Sequence, residues 1–414
     1  MASPHSVEIV TLGCRLNAAE SDAMRAAAGE AGLEDAVIVN TCAVTGEAVR
    51  QARQEIRKAR RAHPEAKIIV TGCAAQIDPA MFEAMPEVDR VLGNAEKLTP
   101  AAFAETGARV RVADIMAVRE MAPHLVGGVS SRTRAYVQVQ NGCDHRCTFC
   151  VIPYGRGNAR SAPAGDVIAE IQTLVEKGCP EIVLTGVDLT SWGGDLPGQP
   201  TLGNLVSRIL KFVPDLKRLR LSSLDAIEMD ETLFRLCTEE ERVAPHLHLS
   251  LQHGADLILK RMKRRHARAD AIELARQLKA ARPEIALGAD LIAGFPTETE
   301  AHFADSLSLV DEAQLSFLHV FPYSPRPMTP AAKMPQLAKP LIKERAARLR
   351  AKGAEALARH LDRWVGRSAE ALIERENFAR LPDFTAVRAA NLTGAHVRLR
   401  FTRHEDGELM GVAA

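Results

Sequence analysis

Short apolar strands alternate with helices along most of this 414-residue chain, and this alternation constrains its fold more than any other feature. Strand-like runs at residues 7–12, 36–40 and 67–71 are each followed by a helical segment. Six further strand–helix units follow, with strands predicted at residues 136–140, 181–185, 218–222, 246–251, 287–292 and 317–321. Successive units of this kind build parallel sheets. The sequence therefore predicts an α/β protein with an N-terminal open parallel-sheet domain, covered by helices on both faces, and a central partial (β/α)6 TIM-like barrel.

One cysteine lies just past each of the first three strands, at Cys14, Cys42 and Cys73. The carboxyl ends of parallel strands meet at one edge of a sheet, so these thiols should converge although 28 and 31 residues separate them. Small neighbours such as Gly13 and Gly72 leave room for a bulky group. We therefore predict a three-cysteine iron–sulfur cluster with one open iron. The alternative is three unrelated buried thiols, since free cysteine is among the most buried residue types.

A second set of three cysteines, Cys143, Cys147 and Cys150, lies within eight residues after the first strand of the predicted barrel. Three thiolates on a [4Fe–4S] cluster leave one iron open to bind another molecule. A zinc knuckle or a disulfide pair is the alternative. Structural zinc sites take four protein ligands, and His145, between two of the cysteines, could not easily fold back onto the same metal. The two remaining cysteines, Cys179 and Cys237, have no partner pattern and are expected to be packed thiols.

The Cys-x3-Cys-x2-Cys run, with Phe149 before its last cysteine, resembles the cluster loop of radical S-adenosylmethionine (SAM) enzymes. The segments around Cys14, Cys42 and Cys73 are similar to the three cysteine motifs of the methylthiotransferase family. The resemblance covers most of the chain and implies two [4Fe–4S] clusters, bound SAM and an external one-electron reductant, with the sulfur source left open. It also implies that a deoxyadenosyl radical removes a hydrogen and that a methylthio group takes its place.

Several barrel strand ends resemble the SAM contacts of the superfamily. The resemblance implies a set of cofactor-binding residues: Phe149, Gly186, Asp188, Ser222, Gln252 and Asp290. On the fourth barrel strand, His246 and His248 alternate and so share a face. We interpret them as barrel-lining histidines that hydrogen-bond internally, with a metal site as the alternative.

Local sequence around Asn158 and His319 looks most like the branch of the family that modifies N6-threonylcarbamoyladenosine beside the tRNA anticodon, at C2 of the adenine. Alternatives are the isopentenyladenosine branch, the branch that modifies a ribosomal-protein aspartate, a radical SAM enzyme acting on a small molecule, and a non-enzymatic iron–sulfur RNA-binding protein. Met328 stands where relatives usually have glycine, so it should remove a flexible hinge.

Composition points to a cytoplasmic protein, because residues 1–6 lack the features of a signal peptide and no apolar run is long enough to cross a bilayer. Three basic clusters, at residues 50–61, 260–268 and 343–352, fit a polyanion such as RNA. The family resemblance implies that this partner is the tRNA anticodon loop, with no DNA or membrane partner. Each cluster could instead be a solvated face. The expected domains are residues 1–125, the radical SAM domain 129–362, and a short TRAM-like β domain at 363–414 that is either an RNA-binding module or a structural lid.

Overall fold

Five parallel strands form the sheet of the N-terminal domain, in the order β1-β2-β3-β4-β5. The computed structural model describes residues 7–104, 108–121 and 133–414, so the predicted boundary between residues 125 and 129 lies outside the described residues. The strands are β1 Val7–Thr11, β2 Ala36–Thr41, β3 Lys67–Gly72, β4 Arg90–Leu92 and β5 Val110–Arg111. The helices are α1 Arg15–Glu30, α2 Gly46–Ala62, α3 Cys73–Ile77, α4 Pro79–Glu83 and α5 Pro100–Phe103, with 3-10 turns at Glu96–Leu98 and Ile115–Ala117.

Both faces of this sheet are apolar because alternate residues of its strands enter two different cores. Ile38 and Ile69 pack with Met24 of α1 and Phe103 of α5. Val37, Val39, Ile68 and Val70 pack instead with Ile56 of α2 and Phe82 of α4. Side chains alternate across a strand, so each helix pair covers one face. The predicted open parallel sheet is confirmed, with two short strands, β4 and β5, added at one side.

Six parallel strand positions form the central partial barrel, which confirms the predicted barrel. Its third strand is split at Ser222, and the two pieces pair with different neighbours, giving the orders β6-β9-β10 and β11-β12-β13-β14. The strands are β6 Arg134–Gln138, β9 Glu181–Thr185, β10 Arg218–Leu221, β11 Ser223–Leu224, β12 His246–Gln252, β13 Ala286–Ala293 and β14 Phe317–Pro322, with a small hairpin of β7 Gln140–Asn141 and β8 Arg160–Ser161.

Helices cover the outside of the barrel and follow its strands. They are α6 Ile152–Arg156, α7 Ala164–Glu176, α8 Leu202–Phe212, α9 Glu231–Glu239, α10 Asp256–Met262, α11 Arg268–Ala281, α12 Glu300–Glu312 and α13 Lys339–Asp362, with 3-10 turns at Leu189–Ser191, Ala226–Glu228 and Pro330–Lys333. Cys179 and Cys237 are buried in the core beneath these helices. In the described part of the chain, no helix is both long and apolar enough to span a membrane.

The interior of the partial barrel is polar. Val137 of β6 and Val139 just after it enter the apolar core under the outer helices, so Arg134 and Gln138 face inward. Arg134 pairs with Glu181 of β9, and Arg220 of β10 donates from Nε to Glu181 Oε1 at 2.9 Å. Burial alone would raise the pKa of Glu181, but Arg220 and Arg134 outweigh it and lower the pKa to about 2. The lower lumen is therefore filled by a charged, hydrogen-bonded network rather than by aliphatic layers.

A closed five-stranded barrel forms the C-terminal domain, as the predicted small β domain requires. Its strands are β15 Ser368–Arg375, β16 Phe378–Arg380, β17 Ala386–Arg388, β18 His396–Glu405 and β19 Glu408–Ala413. Leu399, Phe401 and Leu409 lie in its core together with Leu361 from the end of α13. The small barrel is thus anchored on the long helix that follows the central domain.

Phe384, between β16 and β17, joins the two barrels. Its ring stacks on His246 with centroids 5.0 Å apart. Four guanidinium groups face the same ring: that of Arg380 lies 4.2 Å from its centroid, those of Arg15 and Arg220 each 5.0 Å, and that of Arg134 5.6 Å. Arg220 also donates from Nη2 to the Pro382 carbonyl at 2.9 Å. This aromatic side chain therefore covers the amino-terminal end of the central strands.

Replacing Phe384 with alanine should loosen the C-terminal barrel. The change removes a half-buried ring and its contacts with arginines, which we expect to lower the free energy of unfolding by about 2 kcal/mol. Denaturant unfolding combined with limited proteolysis would measure this. Phe212→Ala is the control, because 49% of Phe212 is exposed. Equal unfolding midpoints for the two variants would contradict this role for Phe384.

Candidate active site

The three N-terminal cysteines lie together at the carboxyl edge of the parallel sheet. A Cβ atom on Gly13 would lie 2.6 Å from Cys42 Cβ and 2.8 Å from its Sγ, so the residue before Cys14 passes directly over Cys42. Gly13 also has a φ of 91°, which a side chain would strain. Burial, together with the charges of Cys73 and Cys14, raises the pKa of Cys42 to about 11. The geometry brings together the three thiols that the sequence suggested.

A buried cation lies beside this set of thiols. Arg156 of α6 donates from Nη2 to Asn17 Oδ1 at 2.6 Å and from Nη1 to Glu20 Oε1 at 2.7 Å. Lys97 Nζ lies 2.6 Å from Glu20 Oε2. Burial opposes the charge of Arg156, but the negative charges of Cys73 and Glu20 raise the pKa of its guanidinium well above its usual value. A permanent positive charge therefore lies next to these thiols.

The loop of Cys143, Cys147 and Cys150 is tied to the mouth of the central barrel. Thr148 donates from its backbone N to the Met262 carbonyl at 3.1 Å and from Oγ1 to the Arg261 carbonyl at 2.8 Å. The Phe149 side chain packs against the apolar cluster around Ile258, Met262 and Phe295. Arg264 Nη1 lies 3.8 Å from Cys147 Sγ. The loop thus holds its three sulfur atoms at the carboxyl end of the strands.

Both sets of thiols fit an iron–sulfur cluster chemically. Burial raises the pKa of Cys150 to about 12 and also raises the pKa of Cys143, so the isolated thiols would be protonated near neutral pH. Metal coordination reverses this preference because the thiolate is the ligand. In each set, an arginine lies where it can offset the negative charge of a thiolate-bound cluster: Arg156 beside Cys73 and Arg264 beside Cys147.

The two sets lie on opposite sides of one contact between α3 and α6. A Cβ atom on Gly155 would lie 3.1 Å from Cys73 Cβ. Asn94 connects the two sides, since its Nδ2 lies 3.7 Å from Cys73 Sγ and donates to the Gly155 carbonyl at 2.6 Å. The negative charge of Cys73 contributes to the raised pKa of Cys150. The sheet domain and the barrel therefore present their cysteines to each other.

His145 pairs with carboxylates of neighbouring loops. Its Nε2 lies 3.0 Å from Asp188 Oδ2 and 3.6 Å from Glu228 Oε1. Hydrogen bonds from His145 to Asp188 and then Glu228 raise the pKa of the imidazole to about 10. Asp188 Oδ2 also lies 3.6 Å from Cys143 Sγ, which places Asp188 beside the cysteine loop.

The other suggested cofactor contacts occupy different levels of the barrel. Gly186 packs on Gln140, where a Cβ atom would come within 2.9 Å of Oε1. Gln252 ends β12 with a φ of 69°. Ser222 is buried at the break of the third strand, and its Oγ has no hydrogen-bond partner among the described residues. Asp290 Oδ1 lies 2.8 Å from His248 Nε2, deeper in the lumen than the cysteine loop.

Most residues of the three basic clusters are already paired within the protein. Arg264 binds Asp225 at 2.8 Å, Arg345 binds Glu298 at 2.7 Å, and Arg261 donates to Thr297 Oγ1 at 2.7 Å. Lys260 and Lys263 make no ion pair within the described residues. The three clusters therefore contain more positive side chains than remain free to bind RNA phosphates.

Comparison with known proteins identifies the family of this fold and these motifs. Residues 137–310 match the model of the Radical SAM superfamily, and residues 6–93 match that of the uncharacterized protein family UPF0004. The threonylcarbamoyladenosine tRNA methylthiotransferase MtaB of Rickettsia prowazekii is 52% identical over 381 residues, spanning 92% of this chain and 90% of that protein. The chain belongs to the methylthiotransferase family of radical SAM enzymes.

Two further family members and one solved structure extend the comparison. MtaB of Bacillus subtilis is 36% identical over 80% of this chain and 76% of that protein. A tRNA-2-methylthio-N(6)-dimethylallyladenosine synthase of Erythrobacter litoralis is 36% identical over 90% of this chain and 87% of that protein. The radical SAM methyltransferase TsrM from Kitasatospora setae has a TM-score of 0.54 at 17% identity, covering 72% of this chain and 66% of that chain, which supports the fold alone.

Proposed function

We propose that this methylthiotransferase adds a methylthio group to C2 of N6-threonylcarbamoyladenosine next to the tRNA anticodon. The main support is that two sets of three cysteines meet at the α3–α6 contact, in a chain 52% identical to an MtaB across nine-tenths of both proteins. An electron carrier needs no barrel mouth beside its cluster. A radical enzyme for a small molecule does not require a second cysteine set in a separate sheet domain.

In this proposal residues 1–125 carry an auxiliary cluster on Cys14, Cys42 and Cys73. Residues 129–362 hold the radical SAM cluster on Cys143, Cys147 and Cys150, and residues 363–414 form a TRAM-like module. When bound, the clusters and SAM would supply one-electron chemistry, which an unactivated C–H bond needs, and an iron site that can hold the sulfur before its transfer. The protein's own part is to hold six thiolates, balance their charge with Arg156 and Arg264, and exclude water by burying Cys42 and Cys73.

A tRNA anticodon loop suits this site because its bases are single-stranded and can leave the stack without opening a duplex. Since most basic side chains are paired internally, we expect binding to depend on loop shape and base contacts as well as on phosphates. The reaction would take place in the cytoplasm, with a separate one-electron reductant.

Nucleoside analysis of tRNA tests the substrate. In cells that lack this protein, we expect 2-methylthio-N6-threonylcarbamoyladenosine to disappear and its unthiolated precursor to accumulate, as measured by mass spectrometry. The wild-type gene should restore the modification, whereas a Cys150→Ser variant should not, because it removes a cluster ligand.

The same measurement separates the alternatives. Loss of the methylthiolated dimethylallyladenosine would assign the chain to the branch represented by the Erythrobacter litoralis relative. Unchanged tRNA together with an altered ribosomal-protein aspartate would overturn the tRNA substrate altogether.

A further inference from the structure

Three ionisable side chains form a connected group in the upper lumen of the central barrel, on β12, β13 and β14. Asp290 Oδ1 lies 2.8 Å from His248 Nε2 and 3.1 Å from His319 Nδ1. The two imidazole rings have centroids 4.6 Å apart. Gly288 makes room for them, because a Cβ atom there would come within 2.7 Å of His248 Nδ1. We call these three residues the lumen triad.

The lumen triad runs from the buried interior to the open side of the barrel. The His248 side chain is 8% exposed, that of Asp290 23% and that of His319 59%. Burial works against the charge of Asp290, but hydrogen bonds from His248 and His319 hold the pKa of its carboxyl below its usual range. Both histidines contact Oδ1, and Oδ2 accepts no hydrogen bond from the described residues. A ligand that enters here therefore meets an ionised carboxylate with one free oxygen and an accessible imidazole.

Two further polar side chains on the inner face lack hydrogen-bond partners. Gln138 is 3% exposed, and neither its amide nitrogen nor its amide oxygen has a partner among the described residues. Ser222 is 7% exposed and its Oγ is likewise unpaired. Strand alternation points both inward, because Val137 and Leu221 beside them enter the outer apolar core. Unpaired buried polar groups are costly, so their presence here indicates a site for a polar ligand.

The chemistry of these groups selects the kind of ligand. Asp290 requires an N–H or O–H donor, while the exposed imidazole of His319 can bind an acceptor oxygen. A group that carries both ureido N–H donors and a carboxylate satisfies this arrangement. An apolar alkyl substituent would leave the same side chains desolvated and unpaired.

We propose that the lumen triad recognises the threonylcarbamoyl group on N6 of the target adenosine and rejects an apolar N6 substituent. This inference rests on the proposed function, and it adds the residues that set substrate choice.

Steady-state kinetics on two tRNA substrates test the inference. With reconstituted enzyme, we expect kcat/KM for tRNA bearing threonylcarbamoyladenosine to exceed that for tRNA bearing dimethylallyladenosine about 100-fold. His319→Phe should lower kcat/KM for the threonylcarbamoyladenosine tRNA about 10- to 100-fold, because it removes the imidazole hydrogen bonds. The ratio of the two kcat/KM values should fall accordingly. His319→Gln, whose amide still donates, should retain more activity than His319→Phe. Both His319 variants should keep the wild-type iron content and the wild-type dissociation constant for SAM.

His63→Phe is the matched control, because His63 also contacts a carboxylate, with Nε2 3.3 Å from Glu8 Oε2, but lies on the N-terminal sheet domain. This variant should keep both kcat/KM values. An unchanged substrate preference in His319→Phe would overturn the inference while leaving the proposed function intact.

Two other results would also overturn the inference. A weakened SAM affinity with an unchanged preference would make the triad a cofactor contact. One equivalent of a non-iron divalent metal, present in the wild type and lost in His319→Phe, would make it a metal site. A wild-type enzyme that methylthiolates neither tRNA would instead reject the proposed function, and the inference with it.

Discussion

Changing Cys14, Cys42 and Cys73 together to alanine should halve the iron content of the anaerobically reconstituted protein, from about eight to about four atoms per chain. Methylthio transfer to tRNA should be lost completely. These three residues meet at the edge of the N-terminal sheet, with Cys42 directly beneath Gly13. Removing all three leaves no thiol there to hold a cluster.

Reductive cleavage of SAM should survive in this triple variant. Cys143, Cys147 and Cys150 lie on the other side of the α3–α6 contact, and their loop is held by Thr148 through bonds to the barrel itself. Chromatographic detection of 5′-deoxyadenosine, alongside iron analysis, would measure the retained activity. The reciprocal change of Cys143, Cys147 and Cys150 to alanine should abolish that cleavage.

Cys179 and Cys237 supply the control for both experiments. Both are buried in the apolar core of the central domain, away from either set of thiols. A Cys179→Ala, Cys237→Ala double variant should keep its full iron content and its transfer activity. If the triple variant retained about eight irons, Cys14, Cys42 and Cys73 could not be ligands.

Replacing Arg156 with methionine should destabilise the junction of the first two domains by about 3–5 kcal/mol. Arg156 is 2% exposed and pairs with Glu20, which is 1% exposed and also holds Lys97. Methionine matches much of the volume but leaves the carboxylate short of one buried partner. Denaturant unfolding of the reconstituted protein would measure the loss. Arg388→Met breaks a surface ion pair with Glu408 and should cost less than about 1 kcal/mol.

The network around Glu20 also has a defined pH dependence. Burial alone would raise the pKa of Glu20, but Arg156 and Lys97 lower it from 4.5 to about 2. A depressed carboxyl pKa contributes its full stability above the unfolded value and loses it as the pH falls toward the folded one. The wild type should therefore exceed Glu20→Gln in free energy of unfolding by a constant amount above pH 4.5. This difference should shrink toward zero as the pH falls from 4.5 to 2. A difference that grew on acidification would contradict the pairing.

The sequence predicted the architecture where hydrophobic periodicity was strong. The long strands and the six-unit barrel follow directly from alternating apolar runs. Arg90–Leu92 and Val110–Arg111 were missed because strands of three and two residues carry no periodic signal. The break at Ser222 was also missed, since it reflects which neighbour each half of the strand pairs with.

Within the candidate site, the sequence predicted the neighbours that follow from local strand geometry. Cysteines placed just past parallel strands converge because the strand ends do. Arg156 and Glu20 are 136 positions apart in sequence, and their contact depends on how two domains pack. A signal was nevertheless present, because Arg156 follows the cysteine loop and Glu20 lies within the first cysteine motif. Likewise, His248 was recognised as barrel-lining, but its bond to Asp290 needed the register of two strands.

Met328 occupies a position where the family resemblance led us to expect glycine. The usual glycine suggested a hinge that methionine would remove. Its backbone is not among the described positions with positive φ, and 45% of the residue is exposed. A side chain is therefore accommodated at this position without strain.

Gly155 has a consequence for the spacing of the two sets of cysteines. Its backbone rests on Cys73, where an added methyl carbon would lie 3.1 Å from Cys73 Cβ and 3.4 Å from Ile77 Cδ1. Main chain, rather than a deformable side chain, thus sets the distance between the two helices at this point. Any residue larger than glycine at position 155 would have to push α3 and α6 apart, and the two sets of cysteines with them.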